Sequence, residues 1–134
     1  MSTKDIVWLN GTFDVLHMGH IKLFEYARSL DGEVHVGVDT DERIRSMKGN
    51  GRPVNNLWNR VDFLNSIKYI DKVHIFGSDE ELTMTIKDLS PKWMVIGNDY
   101  VGKKIIGREH IGQVIFLPRY QGLSSSAIIN GAHN

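Results

Sequence analysis

The chain has 134 residues, with 16 Lys and Arg against 16 Asp and Glu, and no cysteine. That length suits one domain over residues 1–134, and the missing thiols exclude a disulfide framework and a thiolate metal site. At 41% hydrophobic and 24% charged residues, zero formal net charge and no apolar run of membrane-crossing length, the composition predicts a globular protein with no overall field for nucleic acid or an anionic membrane.

The opening Met1-Ser2-Thr3-Lys4-Asp5 has no leader character, so the expected location is cytoplasmic. Ile6-Val7-Trp8-Leu9 then reads as a short strand buried on both faces. From Gly19, the residues Ile21, Leu23, Phe24, Ala27 and Leu30 recur at helical spacing up to Asp31-Gly32. Residues 34–38 are a second strand, and Asp39-Thr40-Asp41-Glu42 looks like a helix start with acids in its first turn. Leu57 to Ile67 predicts a helix, residues 72–76 a third strand, and Glu80 to Leu89 another helix. Residues 93–96 and 114–117 are the fourth and fifth strands, and Ser124 to Asn130 a closing helix with a serine cap. Trp8 and Trp93 read as core, Trp58 as packing its own helix, and His35 and His74 as satisfied strand histidines.

Alternation of this kind predicts an α/β fold: a single Rossmann-like, doubly wound parallel sheet of five strands with helices on both faces. Ligands in such sheets sit at the carboxyl ends of strands, where the strand order reverses. The loops that follow strands are therefore where the chemistry is expected.

The loop after the first strand runs Gly11-Thr12-Phe13-Asp14-Val15-Leu16-His17-Met18-Gly19-His20. It sets two histidines around a glycine where a helix begins. Helix starts present free backbone N–H groups and a positive dipole end, which suit phosphate. Glycine permits close backbone approach, and histidines there can donate to phosphate oxygens as charge develops at phosphorus. Zinc is disfavoured, because no third ligand is spaced nearby; the expected metal-ligand set is none.

The pairing of Gly11-Thr12-Phe13-Asp14 with His17-Met18-Gly19-His20 resembles the His-x-Gly-His signature of the cytidylyltransferase-like nucleotidyltransferases. The resemblance implies that His17 and His20 are catalytic and that Gly11, Thr12, Phe13, Asp14 and Gly19 bind the nucleotide. Lys48-Gly49-x-x-Arg52-Pro53-Val54-Asn55 with a downstream Arg60 is similar to bacterial heptose-1-phosphate adenylyltransferases. It implies Lys48 as a catalytic phosphate ligand, with Arg52, Arg60 and Lys68 facing the acceptor phosphate.

Gly97-Asn98-Asp99-Tyr100 is similar to the family's Gly-x-Asp-aromatic stretch, which implies that Gly97, Asp99 and Tyr100 form the base and ribose pocket. By itself it is also a plain turn sequence. Leu117-Pro118-Arg119 and Ser124-Ser125-Ser126 resemble the Leu-Pro-Arg and Ile-Ser-Thr-Thr segments of glycerol-3-phosphate cytidylyltransferases, which implies Arg119, Ser124, Ser125 and Ser126 as nucleotide ligands. An ordinary serine cap explains the triplet equally simply.

What the resemblance implies is a nucleotidylyltransferase: attack by an acceptor phosphate on the α-phosphorus of a nucleoside triphosphate, loss of pyrophosphate, and Mg2+ held mainly by the nucleotide phosphates. The Gly-Thr-Phe-Asp and Leu-Pro-Arg segments, with Ile96 where heptose-type enzymes have lysine, favour CTP and a glycerol-3-phosphate-like polyol or sugar phosphate. The Lys48–Asn55 stretch supports the alternative, ATP with a sugar 1-phosphate such as heptose 1-phosphate. A non-catalytic nucleotide sensor is the distant alternative. Cell-envelope precursor synthesis and a homodimer are further implications of the resemblance.

Overall fold

In the computed structural model, residues 4–119 are described. The strands are Ile6–Gly11 (β1), Glu33–Asp39 (β2), Lys72–Phe76 (β3), Trp93–Gly97 (β4) and Gln113–Leu117 (β5). The helices are Met18–Ser29 (α1), Asp41–Lys48 (α2), Leu57–Asn65 (α3) and Asp79–Leu89 (α4). Short 3-10 turns at Asn98–Tyr100 and Arg108–His110 occupy the long β4–β5 connection, which the sequence left without elements. The expected closing helix at residues 124–130 lies outside the described residues.

Local chemistry fixes the helix starts. Thr40, Asn56 and Ser78 each accept a backbone N–H from the residue three positions on, which satisfies donors that the first turn leaves open. Asp41 and Glu42 in α2, and Asp79 to Glu81 in α4, place negative charge at the positive dipole end.

The five strands are all parallel in the order β3-β2-β1-β4-β5. Alternate residues of β1 point to opposite faces. Val7 and Leu9 join Val34, Val36 and Val38 beneath Phe24 and Ala27 of α1 and Leu64 of α3. Trp8 joins Phe76 and Met94 beneath Leu82 and Ile86 of α4. Helices therefore cover both faces, as predicted. Burying one such valine or leucine contributes roughly 1.5–3 kcal/mol relative to leaving it exposed. On the Trp8 face β2 carries Gly37, and a Cβ there would lie 2.6 Å from the indole. The glycine is what lets the tryptophan lie flat on the neighbouring strand.

Trp58 departs from expectation. It is 67% exposed, because α3 turns Arg60 and Leu64 inward and leaves Trp58 on the outer side. His35 and His74 satisfy one another: His35 Nδ1 lies 2.9 Å from His74 Nε2, and the rings stack.

Candidate active site

The strand order reverses between β1 and β4, and the two strands part there. Among the described residues their ladder holds only Val7 against Trp93 and Trp8 against Met94. Beyond that pair the backbones separate, and a cavity of about 250 Å³ opens between Leu9–Gly11 on one side and Val95–Gly97 on the other. It is the crevice expected of a doubly wound sheet.

His17 and His20 line it, and their geometry follows from the start of α1. His17 is the N-cap residue, and its Nδ1 accepts the backbone N–H of Gly19 at 3.0 Å. His20 reaches back, and its Nδ1 accepts the backbone N–H of His17 at 3.1 Å. The two rings thus form a reciprocal capping box, a role usually taken by hydroxyl and carboxyl side chains. Since both Nδ1 atoms are acceptors, each neutral ring carries its proton on Nε2. Burial, with His17 beside it, pulls the His20 pKa down to about 4; burial and the Arg119 guanidinium lower that of His17. At neutral pH the site holds two neutral imidazoles with Nε2–H donors.

Phe13 supports this arrangement from beneath. Its ring meets His20 edge-on at 5.7 Å and Phe24 at 5.5 Å. To turn that ring inward, Phe13 adopts φ 45°, a left-handed conformation that costs a non-glycine residue about 1 kcal/mol or more. Gly11 leaves room: a Cβ there would approach the Phe13 ring to 3.3 Å.

Of the residues expected to meet the nucleotide, Gly11, Thr12, Phe13, Gly19, Gly97, Asp99, Tyr100 and Arg119 line this cavity. Asp99 Oδ2 accepts from Arg119 Nε at 3.0 Å, and Arg119 Nη2 lies 2.9 Å from the same oxygen, so the pair ties the exits of β4 and β5 together. Ser124, Ser125 and Ser126 lie outside the described residues.

Asp14 stands apart from these residues. It is buried and lines neither cavity described here. Its carboxylate accepts backbone N–H groups from Val54 and Asn55 at 2.8 Å each, and Nε of Arg52 at 3.1 Å. Arg52 Nε thereby joins the histidine loop to the segment before α3, while its buried Nη2 has no hydrogen-bond partner among the described residues.

Arg60 is likewise turned inward. It is fully buried and donates to the carbonyls of Asn55, Thr12 and Asp39 and to Asp41 Oδ1 at 2.6 Å. Four of its N–H donors thus pin three loops at the carboxyl edge. Lys68 lies at the other edge. It precedes Asp71, which bonds the start of β2 through Val34 N–H, and its ammonium rests over the Tyr69 ring. The crossover helix carries it away from the site.

Lys48 lines a second cavity of about 400 Å³ on the far side of the β1 exit. Asn10, Gly11, Thr12, Ile96 and Tyr100 border both spaces. Sequence reasoning missed most of its wall, including Arg43, Met94, Lys104, Ile105 and Ile106. The available signal was the Lys103-Lys104 pair in the loop that follows β4.

The profile of the cytidylyltransferase-like family matches residues 8–131. The bifunctional protein HldE of Campylobacter fetus subsp. fetus is 38% identical over 129 residues, or 96% of this chain and 28% of that protein. HldE of Helicobacter hepaticus is also 38% identical over 129 residues, or 96% of this chain and 27% of that protein. The chain thus spans little more than a quarter of the length of these relatives. Among solved structures, the lipopolysaccharide core biosynthesis protein of Thermoplasma volcanium superposes with a TM-score of 0.70 at 24% identity, covering 87% of this chain and 98% of that one. Pantothenate synthetase of Thermus thermophilus gives 0.65 at 15% identity, covering 96% of this chain and 62% of that one. At these identities the structural likeness shows the fold.

Proposed function

The chain belongs to the cytidylyltransferase-like family, and we propose that it transfers a nucleoside monophosphate from a triphosphate to a phosphorylated small molecule, releasing pyrophosphate. The observation that carries this reading is the pair of neutral histidines, both Nδ1 atoms held by α1 and both Nε2–H donors left for phosphate oxygens.

We favour ATP and a sugar 1-phosphate as the reactants. Support comes from the HldE relatives, which fit adenylyl transfer better than cytidylyl transfer, and from the Lys48–Asn55 stretch. One residue favours the CTP reading: Ile96, apolar where heptose-type enzymes have lysine, borders both cavities. A cell-envelope precursor as product, and a homodimer, accompany the proposal.

In the proposed reaction an acceptor phosphate oxygen forms a bond to the α-phosphorus as the bond to the pyrophosphate oxygen breaks. A phosphate monoester has its second pKa at about 6 and is already anionic, so no general base is needed. His17 and His20 donate to the α-phosphate as negative charge concentrates there, which is electrostatic stabilisation. Their lowered pKa values keep them donors of hydrogen bonds and not of protons near neutrality. The two cavities share Gly11 and Thr12, which supports a reading with the nucleotide in one and the acceptor in the other.

Mg2+ bound with the triphosphate would neutralise charge on the leaving oxygens. The donors present fit an ion that arrives with the nucleotide. Asp99, the carboxylate of the first cavity, is paired with Arg119. No group of three or more His, Asp or Glu among the described residues is placed to hold a metal.

The test is Mg2+-dependent pyrophosphate release from ATP, CTP, GTP and UTP against heptose 1-phosphate, glycerol 3-phosphate and other sugar phosphates, with His20→Ala as control. Release from ATP with a sugar 1-phosphate, lost in the control, is expected. Release from CTP alone would establish the second reading, and triphosphate binding without release from any pair would mark a sensor.

A further inference from the structure

The second cavity has a composition that the nucleotide does not explain. Three cationic side chains line it, Arg43, Lys48 and Lys104. Arg43 is committed: its Nε donates to Asp39 at 2.7 Å, its Nη2 to Asp79 at 2.7 Å, and its guanidinium lies over Phe76. Asp39, the carboxylate of the lining, is neutralised by the same arginine. Lys48 and Lys104 have no ion-pair partner among the described residues. They come from separate elements, Lys48 from the last residue of α2 and Lys104 from the β4–β5 connection. The apolar part of the same lining, its floor, is Phe76, Leu82, Met94, Ile105 and Ile106. Two free ammonium groups above an apolar floor suit a compact dianion attached to a carbon skeleton.

We propose that Lys104 acts with Lys48 as the anchor for the acceptor's phosphate, and that the acceptor is a phosphate monoester whose skeleton lies against the Phe76–Ile106 floor. This assignment rests on the nucleotidyl-transfer reading. His17, His20 and Arg119 all face the first cavity, which places the triphosphate there. The attacking phosphate then enters from the adjoining second cavity, which shares Asn10, Gly11, Thr12, Ile96 and Tyr100 with the first and is lined by Lys48 and Lys104. Both lysines are exposed at their outer surfaces, so glutamine substitutions leave the fold intact.

The experiment has two separate readouts. In the first, inorganic phosphate is titrated into 15N-labelled protein, with and without α,β-methylene ATP, and backbone amide shifts are followed. The expected result is movement of the Thr12 and Lys104–Ile106 amides. Apparent affinity should fall about tenfold in Lys104→Gln and in Lys48→Gln, and stay at the wild-type value in Lys87→Gln, a charge-matched change on α4. Titration of Lys104→Gln like wild type, or shifts confined to the His17–His20 amides, would overturn the anchor. The second readout is turnover: Lys104→Gln should raise the acceptor KM about tenfold at an unchanged KM for the triphosphate. A raised triphosphate KM instead would overturn it. Phosphate binding at Lys104 in a protein that turns over no pair would sink nucleotidyl transfer and leave the anion site standing. Turnover with wild-type kinetics in Lys104→Gln would do the reverse.

Discussion

His17 and His20 cap one another: the backbone N–H of His17 donates to His20 Nδ1 at 3.1 Å, while His17 Nδ1 receives Gly19 N–H at 3.0 Å. One face of each ring therefore builds the helix start, and the other is left for the ligand. The two roles separate by substitution. In His17→Asn the side-chain oxygen continues to cap α1, and thermal stability should stay within about 1 kcal/mol of wild type. Its kcat should fall on the order of 100-fold or more, through loss of the Nε2–H donor. His17→Ala should lose activity to the same extent and a further 0.5–2 kcal/mol, roughly, of stability. Full activity in His17→Asn, measured beside its melting curve, would reduce His17 to a cap.

Arg60 provides the opposite case, a cation that resembles a ligand and serves as a pin. Arg60→Met removes four hydrogen bonds and leaves three carbonyls and Asp41 without their donor. Urea unfolding should show a loss of about 3 kcal/mol. An unchanged unfolding midpoint combined with a raised acceptor KM would contradict the placement.

Lys68→Gln should change neither quantity appreciably, since the side chain stands at the amino edge of the sheet over Tyr69. Steady-state kinetics should give an acceptor KM within about twofold of wild type. A tenfold rise would mean that the acceptor reaches much further than the second cavity.

Acid should destabilise the protein through its histidines. His20 and His74 both have pKa values pulled down to about 4, each chiefly by burial, from an ordinary 6.5. Between those values the unfolded chain binds protons that the folded chain does not, so stability rises with pH across that window. The free energy of unfolding, from urea titrations at successive pH values, should hold above pH 6.5 and decline as pH falls towards 4. In His74→Gln the decline should be shallower. A flat profile across the window would show that these rings titrate normally.

The regular elements were legible because local signals coincide with them. Residues 72–76 form β3 with the predicted bounds, and Thr40 marks the start of α2 through its own side chain. That the site lies in loops at the carboxyl ends of strands was legible too, whereas the strand order that puts the reversal between β1 and β4 was not. Sequence spacing could not reveal which charges are already matched. Asp14 finds its partners 38 to 41 residues further on, and Arg60 finds Thr12 and Asp41 through chain reversals that no local pattern encodes. The resemblance implies both as ligands, and the structure shows both buried and hydrogen-bonded within the scaffold. Lys104 was overlooked for the converse reason: the Lys103-Lys104 pair after β4 is a weak signal, since paired lysines in a loop are commonly just solvated. Its importance comes from lining the same cavity as Lys48.

The most direct test of the account is a single-turnover experiment with ATP labelled at the α-phosphorus, mixed with protein, Mg2+ and the sugar 1-phosphate panel and quenched over time. The account predicts that label passes from ATP into a new sugar nucleotide without residing on the protein, at a rate reduced on the order of 100-fold or more in His20→Ala. Label appearing first on the protein would contradict direct attack by the acceptor phosphate, as would undiminished transfer in His20→Ala.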